Sequence, residues 1–266
     1  KRYIHGEWSV FEGQIFQEWR EKIHIVRPFE IPKGWQRLVS IDHGMINPTC
    51  ALFGAIDYDG NIWIYDEYYQ AGIVSDHARS IMARTEGNEI DFWLIDPSTA
   101  AKTREKDGMP WSVLEEYEDY GIWATPANHE KLAGINRVRE FMRIDPNHKH
   151  PQTGLMGSPR LFIFSSCINL ISEIPQYQWK KLRSVTPRNK PEQTRDYNDH
   201  SVDSLRYMIM SRFPSPSRNP FGDEMVSPLQ RTNANIMAKP IPENYEGDSL
   251  FGQFSGGIGA VDDNKI

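Results

Sequence analysis

Two apolar runs, Cys50 to Ile56 and Ile62 to Tyr65, flank Asp57-Tyr58-Asp59-Gly60-Asn61. Turn-forming residues between β-prone runs are a strong hairpin signal. A third run, Arg37-Leu38-Val39-Ser40-Ile41-Asp42, precedes them across a turn holding Gly44, Asn47 and Pro48. Three strands joined by such short turns can only pair as an antiparallel meander.

Downstream the period changes. Ser75 to Arg84 reads as a helix with Ser75 as N-cap and Ala78, Ile81 and Met82 on one face. Phe92 to Asp96 is a buried strand ending in an acid before Pro97. Trp111 to Tyr120 is a helix, Gly121 to Ala124 a fifth strand, and Lys131 to Ile144 a helix with Ile135, Val138, Phe141 and Met142 inward. Arg160 to Phe164 is a short strand, paired with Leu155-Met156 as a hairpin. Cys167 to Trp179 is helical in part and interrupted by Pro175, and Asp199 to Arg212 is the last helix, with Val202, Leu205 and Ile209 as its apolar face. The order β-β-β-α-β-α-β-α predicts an α/β fold. Its mixed sheet has an antiparallel three-strand start, then βα units, with helices on both faces, the RNase H-like arrangement.

Residues 1–34 form an irregular lead-in whose Trp8, Phe11, Phe16 and Trp19 are expected against a core. Residues 35–213 form the folded domain. Residues 214–266, rich in Pro, Ser, Asn and Gly, read as a disordered tail. No apolar run approaches the ~20 residues of a membrane span. Two distant cysteines, Cys50 and Cys167, exclude a disulfide framework or a Cys-rich zinc site. A net charge of −6 means that any DNA-binding surface is local. No P-loop, nucleophile elbow or zinc-protease motif is present.

Three acids occupy special positions: Asp42 ends the first strand, Asp96 the fourth, and Asp199 and Asp203 open the last helix, one turn apart. Ligands gather at strand ends where sheet topology changes. Clustered carboxylates call for a counter-charge, and Mg2+ or Mn2+, as hard cations, suit oxygen donors. Two such ions can activate water and stabilise the leaving oxygen of a phosphodiester. Each acid alone is equally at home as a turn former or helix cap. His200 reads two ways, as a metal ligand or proton handler, or as a hydrogen-bonded helix-start histidine. His43 lies beside Asp42, and His129, His148 and His150 read as surface residues. Lys180, Lys181, Arg183, Arg188, Lys190 and Arg195, with Lys131 after the fifth strand as a weaker one, are candidates for phosphate contacts to DNA.

Arg2-Tyr3-Ile4-His5-Gly6-Glu7-Trp8, with Phe11-Glu12-Gly13-Gln14-Ile15-Phe16, resembles the segment before the nuclease domain in the large terminases of tailed bacteriophages. Ser40-Ile41-Asp42-His43-Gly44 with Asn47-Pro48-Thr49, Tyr65-Asp66-Glu67-Tyr68-Tyr69 and Leu94-Ile95-Asp96-Pro97-Ser98 resemble their strand motifs. Asp199-His200-Ser201-Val202-Asp203-Ser204-Leu205-Arg206-Tyr207 resembles their final helix, usually close to Asp-His-x-x-Asp-Ala-x-Arg-Tyr. The resemblance covers residues 1 to about 213.

It implies an RNase H-like nuclease that cleaves double-stranded, concatemeric viral DNA with two Mg2+ or Mn2+ ions during packaging. Asp42 and Asp96 would be ligands, Asp203 the favoured third and Asp199 its rival. It also implies an ATPase domain, a small terminase and a portal as partners, in the host bacterial cytoplasm at the procapsid. The family's ATPase motifs have no counterpart in this chain, which is therefore expected to cut DNA but not to translocate it. Two other readings stand beside this one. One is another RNase H-like nuclease of junction-resolvase or transposase type. The other is a non-catalytic module that docks DNA or portal.

Overall fold

The computed structural model describes residues 13–44, 46–85, 87–180, 193–195 and 199–212. Its elements run α1 (Glu21–His24), β1 (Ile25–Val26), β2 (Gln36–Asp42), β3 (Thr49–Ile56), β4 (Ile62–Gln70), α2 (Val74–Arg84) and β5 (Phe92–Ile95). A 3-10 turn, Pro97–Ala100, leads to β6 (Arg104–Lys106), β7 (Met109–Trp111), α3 (Val113–Glu118), β8 (Thr125–Pro126) and α4 (Lys131–Met142). The rest are β9 (Asp145–Lys149), β10 (Met156–Ser158), β11 (Leu161–Phe164), α5 (Ile168–Gln176) and α6 (His200–Arg212).

The predicted meander forms the sheet's centre. β2 and β3 pair antiparallel from Gln36↔Ile56 to Asp42↔Cys50, and β3 continues antiparallel to β4. Asp57 sets the β3–β4 turn, its carboxylate accepting bonds from the backbone N–H of Asp59 (3.0 Å) and Asn61 (2.8 Å) and from the Trp63 indole (2.9 Å). Gly60 closes the turn at φ +78°, where a side chain would be strained. Parallel strands extend both sides, giving the order β1-β11-β4-β3-β2-β5-β8. The expected mixed sheet with helices on both faces is therefore present.

Alternation along the strands divides the core in two. Val39, Ile41, Ala51 and Phe53 meet α2 and α3 through Ala78, Ile81, Val113 and Tyr117. Leu38, Leu52, Ile62 and Ile64 meet α4, α5 and α6 through Ile135, Val138, Leu170, Ile174, Leu205 and Met208. Phe16 and Trp19 of the lead-in are buried in this second core. Trp8 and Phe11 lie outside the described residues, as does the 214–266 tail.

α6 is buried on nearly every side from Ser201 to Ser211, not along one apolar face. Its polar side chains are matched one by one. Ser204 Oγ donates to the Ser40 carbonyl (2.7 Å), and Arg206 Nη1 to the His129 carbonyl (3.0 Å). Close approach needs glycine on both neighbours. A Cβ at Gly54 would stand 2.6 Å from Met208 Sδ, and one at Gly134 2.4 Å from Arg206 Cγ. Gly134→Ala is therefore expected to destabilise the fold by about 2–3 kcal/mol through overpacking. A denaturation midpoint unchanged from wild type would refute this.

Several local expectations need correction. Ser75 does not cap α2; Ile73 is the N-cap and supplies no side-chain bond. Residues 121–124 are not a strand. The chain pairs beside β5 only at Thr125–Pro126, and Trp123 is 71% exposed. Met156 pairs with β9 rather than with the 160–164 strand, which lies between β1 and β4. The β6–β7 hairpin has no counterpart among the sequence expectations; ion pairs Lys102–Glu115, Arg104–Glu116 and Lys106–Asp119 hold it to α3.

Candidate functional site

β2 and β5 are parallel neighbours, Ile41 opposite Ile95, so their C-terminal ends bring Asp42 and Asp96 side by side. The Asp96 N–H donates to the Ile41 carbonyl at 2.9 Å. α6 crosses β2, β3 and β5 on the face to which Asp42 points. Its first turn delivers Asp199, His200 and Asp203.

Each carboxylate has a partner within the protein. Asp42 is 8% exposed, and its Oδ2 accepts from His200 Nδ1 at 3.0 Å. Burial raises its carboxyl to about 6, and the nearby Asp203 and Asp96 charges push the same way against the His200 bond. That bond raises His200 in turn, against its own desolvation. Asp96 caps the 3-10 turn, accepting from Ser98 N (3.0 Å) and Ser98 Oγ (2.6 Å). Asp203 pairs with Arg206 Nη2 at 3.3 Å, and Asp199 with Lys131 Nζ at 3.7 Å. The cap reading of Asp96 and the hydrogen-bonded reading of His200 are thus both realised, and neither removes these groups from the cluster.

Among the described residues, no three Asp, Glu, His or Cys side chains converge closely enough to ligate one ion as they stand. The donors are nevertheless of the right kind. Asp42, whose proton affinity is raised by burial first and by two neighbouring acids as well, marks a place where positive charge is stabilising. Asp42 meets His200 through Oδ2 and Asp203 meets Arg206 through Oδ1, so each holds its partner through one of its two carboxylate oxygens.

His43 lies on the opposite face, its Nδ1 3.2 Å from Tyr117 Oη and 3.3 Å from Thr49 Oγ1. Burial depresses it to about 4, so it is neutral at pH 7. His148 bonds Asn61 Oδ1 at 2.7 Å, and is part of the turn rather than the site. Of the basic stretch, Lys181, Arg183, Arg188 and Lys190 lie outside the described residues. Arg195 bonds Gln178 Oε1 (3.1 Å) and lines a groove of about 650 Å³ against α5, away from the acids. Lys180 pairs by its backbone with Gln193. Among the described residues, Lys131 is a predicted DNA-contact cation that the structure brings to the acids.

Two glutamates near the site carry no local signal in the sequence. Glu173 on α5 is 4% exposed and accepts from the N–H of Ser201 (2.7 Å) and Val202 (3.3 Å) at the start of α6. Glu67 on β4 does the same for α5, through Asn169 N (2.7 Å) and Leu170 N (3.0 Å). A glutamate bonded to its own helix start is legible as a capping box; these reach across from other elements.

No family model matches the chain. The large terminase subunit of Escherichia phage T5 is 26% identical over 219 residues, 79% of this chain and 44% of that protein. The chain thus spans less than half of this curated relative. The large terminase of a thermophilic bacteriophage, solved in complex with ADP, superposes with a TM-score of 0.58 at 20% identity, over 77% of this chain and 46% of that one. The nuclease domain of the P22 large terminase gives 0.54 at 19% identity, over 76% and 93%. The fold is the RNase H-like one of these nuclease domains.

Proposed function

We propose, for a chain related to the phage large terminases and folded like their nuclease domains, that it is a divalent-metal-dependent DNA endonuclease acting in genome packaging. One observation carries this reading: Asp42, Asp96 and the first turn of α6 meet at the C-terminal ends of two parallel strands. Asp42, Asp96 and Asp203 would hold the metal, with Asp199 as the alternative on the same turn. A pair of Mg2+ or Mn2+ ions bound there would activate water and stabilise the leaving oxygen of a phosphodiester.

The chain's own residues do the rest. Asp42 fixes the His200 ring at Nδ1 and raises its basicity, which suits it to take up a proton. Lys131, and the cations from Lys180 to Arg195, would hold the phosphate backbone of double-stranded DNA without reading its bases. In this reading residues 35–213 are the nuclease, preceded by a lead-in and followed by a tail. They work with an ATPase domain, a small terminase and a portal at the procapsid in the host cytoplasm.

The test is nicking and linearisation of supercoiled plasmid with Mg2+, Mn2+ or EDTA. Cutting with either metal and none in EDTA is the expected result. The pairing of Asp203 with Arg206 and of Asp199 with Lys131 favours a second reading, a docking module whose acids are already neutralised. Folded protein that neither cuts plasmid nor binds Mn2+ would establish that reading instead. A strong preference for branched DNA would point to a resolvase-like nuclease.

A further inference from the structure

We propose that Glu173 is a positioning residue for the acidic site, holding the first turn of α6 so that His200 and Asp203 face Asp42. The inference rests on the nuclease reading above for its consequence in catalysis, but not for its geometry.

A helix begins with N–H groups that have no partner within the helix, and a carboxylate there also meets the positive end of the helix dipole. In α6 those N–H groups belong to Ser201 and Val202, between the two site residues His200 and Asp203. Both donate to one oxygen of Glu173, Oε2. Tyr69 of β4 lies beside the same carboxylate. β4 also holds the glutamate's own helix, because Glu67 accepts from Asn169 N and Leu170 N at the start of α5. Asn169 Nδ2 adds a third bond to Glu67, at 2.9 Å. The result is a two-step brace: central strand to α5, and α5 to the turn that carries the site. Glu173 itself has no reason to be buried for packing. An ionisable side chain with 4% exposure is retained at a place where its partners need it.

Glu173→Gln separates positioning from charge. An amide oxygen can accept both backbone bonds, and the amide NH2 can meet the Tyr69 hydroxyl. Glu173→Ala removes the brace. Backbone hydrogen exchange over residues 199–205 is measured first, with metal-free protein below the melting temperature of every variant. Exchange in Glu173→Ala is expected to rise at least tenfold there while β2 and β3 stay protected, and Glu173→Gln is expected to remain near wild type. Plasmid cutting is then measured against Mn2+ concentration. Glu173→Ala should lose tenfold or more in maximal rate and need more Mn2+ for half-saturation, with DNA binding retained. Glu173→Gln should recover most of the rate. A purely structural glutamate would lower the melting temperature without changing the rate per folded molecule, and that result would overturn the proposal. Unchanged exchange over 199–205 in Glu173→Ala would overturn it as well. If wild type fails to cut, the nuclease reading falls, while the exchange comparison still decides the brace.

Discussion

Asp42→Asn is expected to reduce metal-dependent plasmid cutting by roughly a thousandfold or more, a barrier increase of about 4 kcal/mol. The same change should stabilise the metal-free protein. Burial is the main cause that moves the Asp42 carboxyl from 3.8 to about 6, with Asp203 and Asp96 adding to it. The folded-state value is raised, so the favourable contribution is complete below pH 3.8 and is lost as the pH rises through 6. Each pH unit in that window is worth about 1.4 kcal/mol. Ionised Asp42 therefore opposes folding by on the order of 2–3 kcal/mol above pH 6. Asparagine does not ionise and keeps an oxygen for the His200 bond, so about 1–2 kcal/mol should be regained at pH 8. Thermal melts in EDTA between pH 4 and 8 would show the gain growing with pH. Undiminished cutting would remove Asp42 from the chemistry, and a lower melting temperature at pH 8 would refute the electrostatic account.

Arg206→Ala is expected to be the most damaging single truncation in α6. The guanidinium is buried, at 3% side-chain exposure, and pairs with Asp203 while donating to the His129 carbonyl. Its stem fills the space that Gly134 leaves open. Truncation strands Asp203 without its counter-charge, leaves a carbonyl unsatisfied and opens a cavity. Breaking a buried ion pair from one side is typically worth about 3–5 kcal/mol, roughly 10 °C in melting temperature for a domain of this size. Adding Asp203→Asn to Arg206→Ala should restore part of that loss, because the stranded charge is gone. Urea denaturation of the single and double variants measures both terms. A single-variant loss under about 1 kcal/mol would mean that Asp203 does not depend on Arg206.

The elements legible in the sequence are those whose determinants are local. The Asp57–Asn61 turn, the apolar strands on either side of it and the helical spacing of Ile135, Val138 and Phe141 each carry their own signal, and the structure places them as expected. Asp42 and Asp96 are each legible as strand-end acids, and the pairing of their two strands makes them neighbours. What local pattern cannot supply is pairing at a distance. Gly121 to Ala124 has strand-like composition, yet the sheet edge takes only the next two residues and leaves Trp123 in solvent. Leu155-Met156 has the pattern of a partner for the following strand, but that strand is claimed on both sides, by β1 and β4. Burial on all sides of α6 is hidden because its sequence is polar, and each polar group finds a partner only once three elements surround it. The same holds for Glu67 and Glu173, whose bonds span 28 to 103 positions of sequence.

The position of α6 as the last of the described elements also orders events during synthesis. β2, β3 and β4 can pair as soon as they leave the ribosome, since their contacts are local. β1 must wait for Ile163 and Phe164, and the cover over the face bearing Leu38, Cys50 and Leu52, begun by α4 and α5, is complete only when Val202, Leu205 and Met208 arrive. At ~5–20 residues per second, that interval is many seconds of incompletely covered apolar sheet. Over the same interval Asp42 and Asp96 stand without the turn that carries His200 and Asp203. A chain halted before residue 199 lacks both candidate third acids and the last of its core cover together, so the step that seals the protein against aggregation is also the one that completes its acidic site.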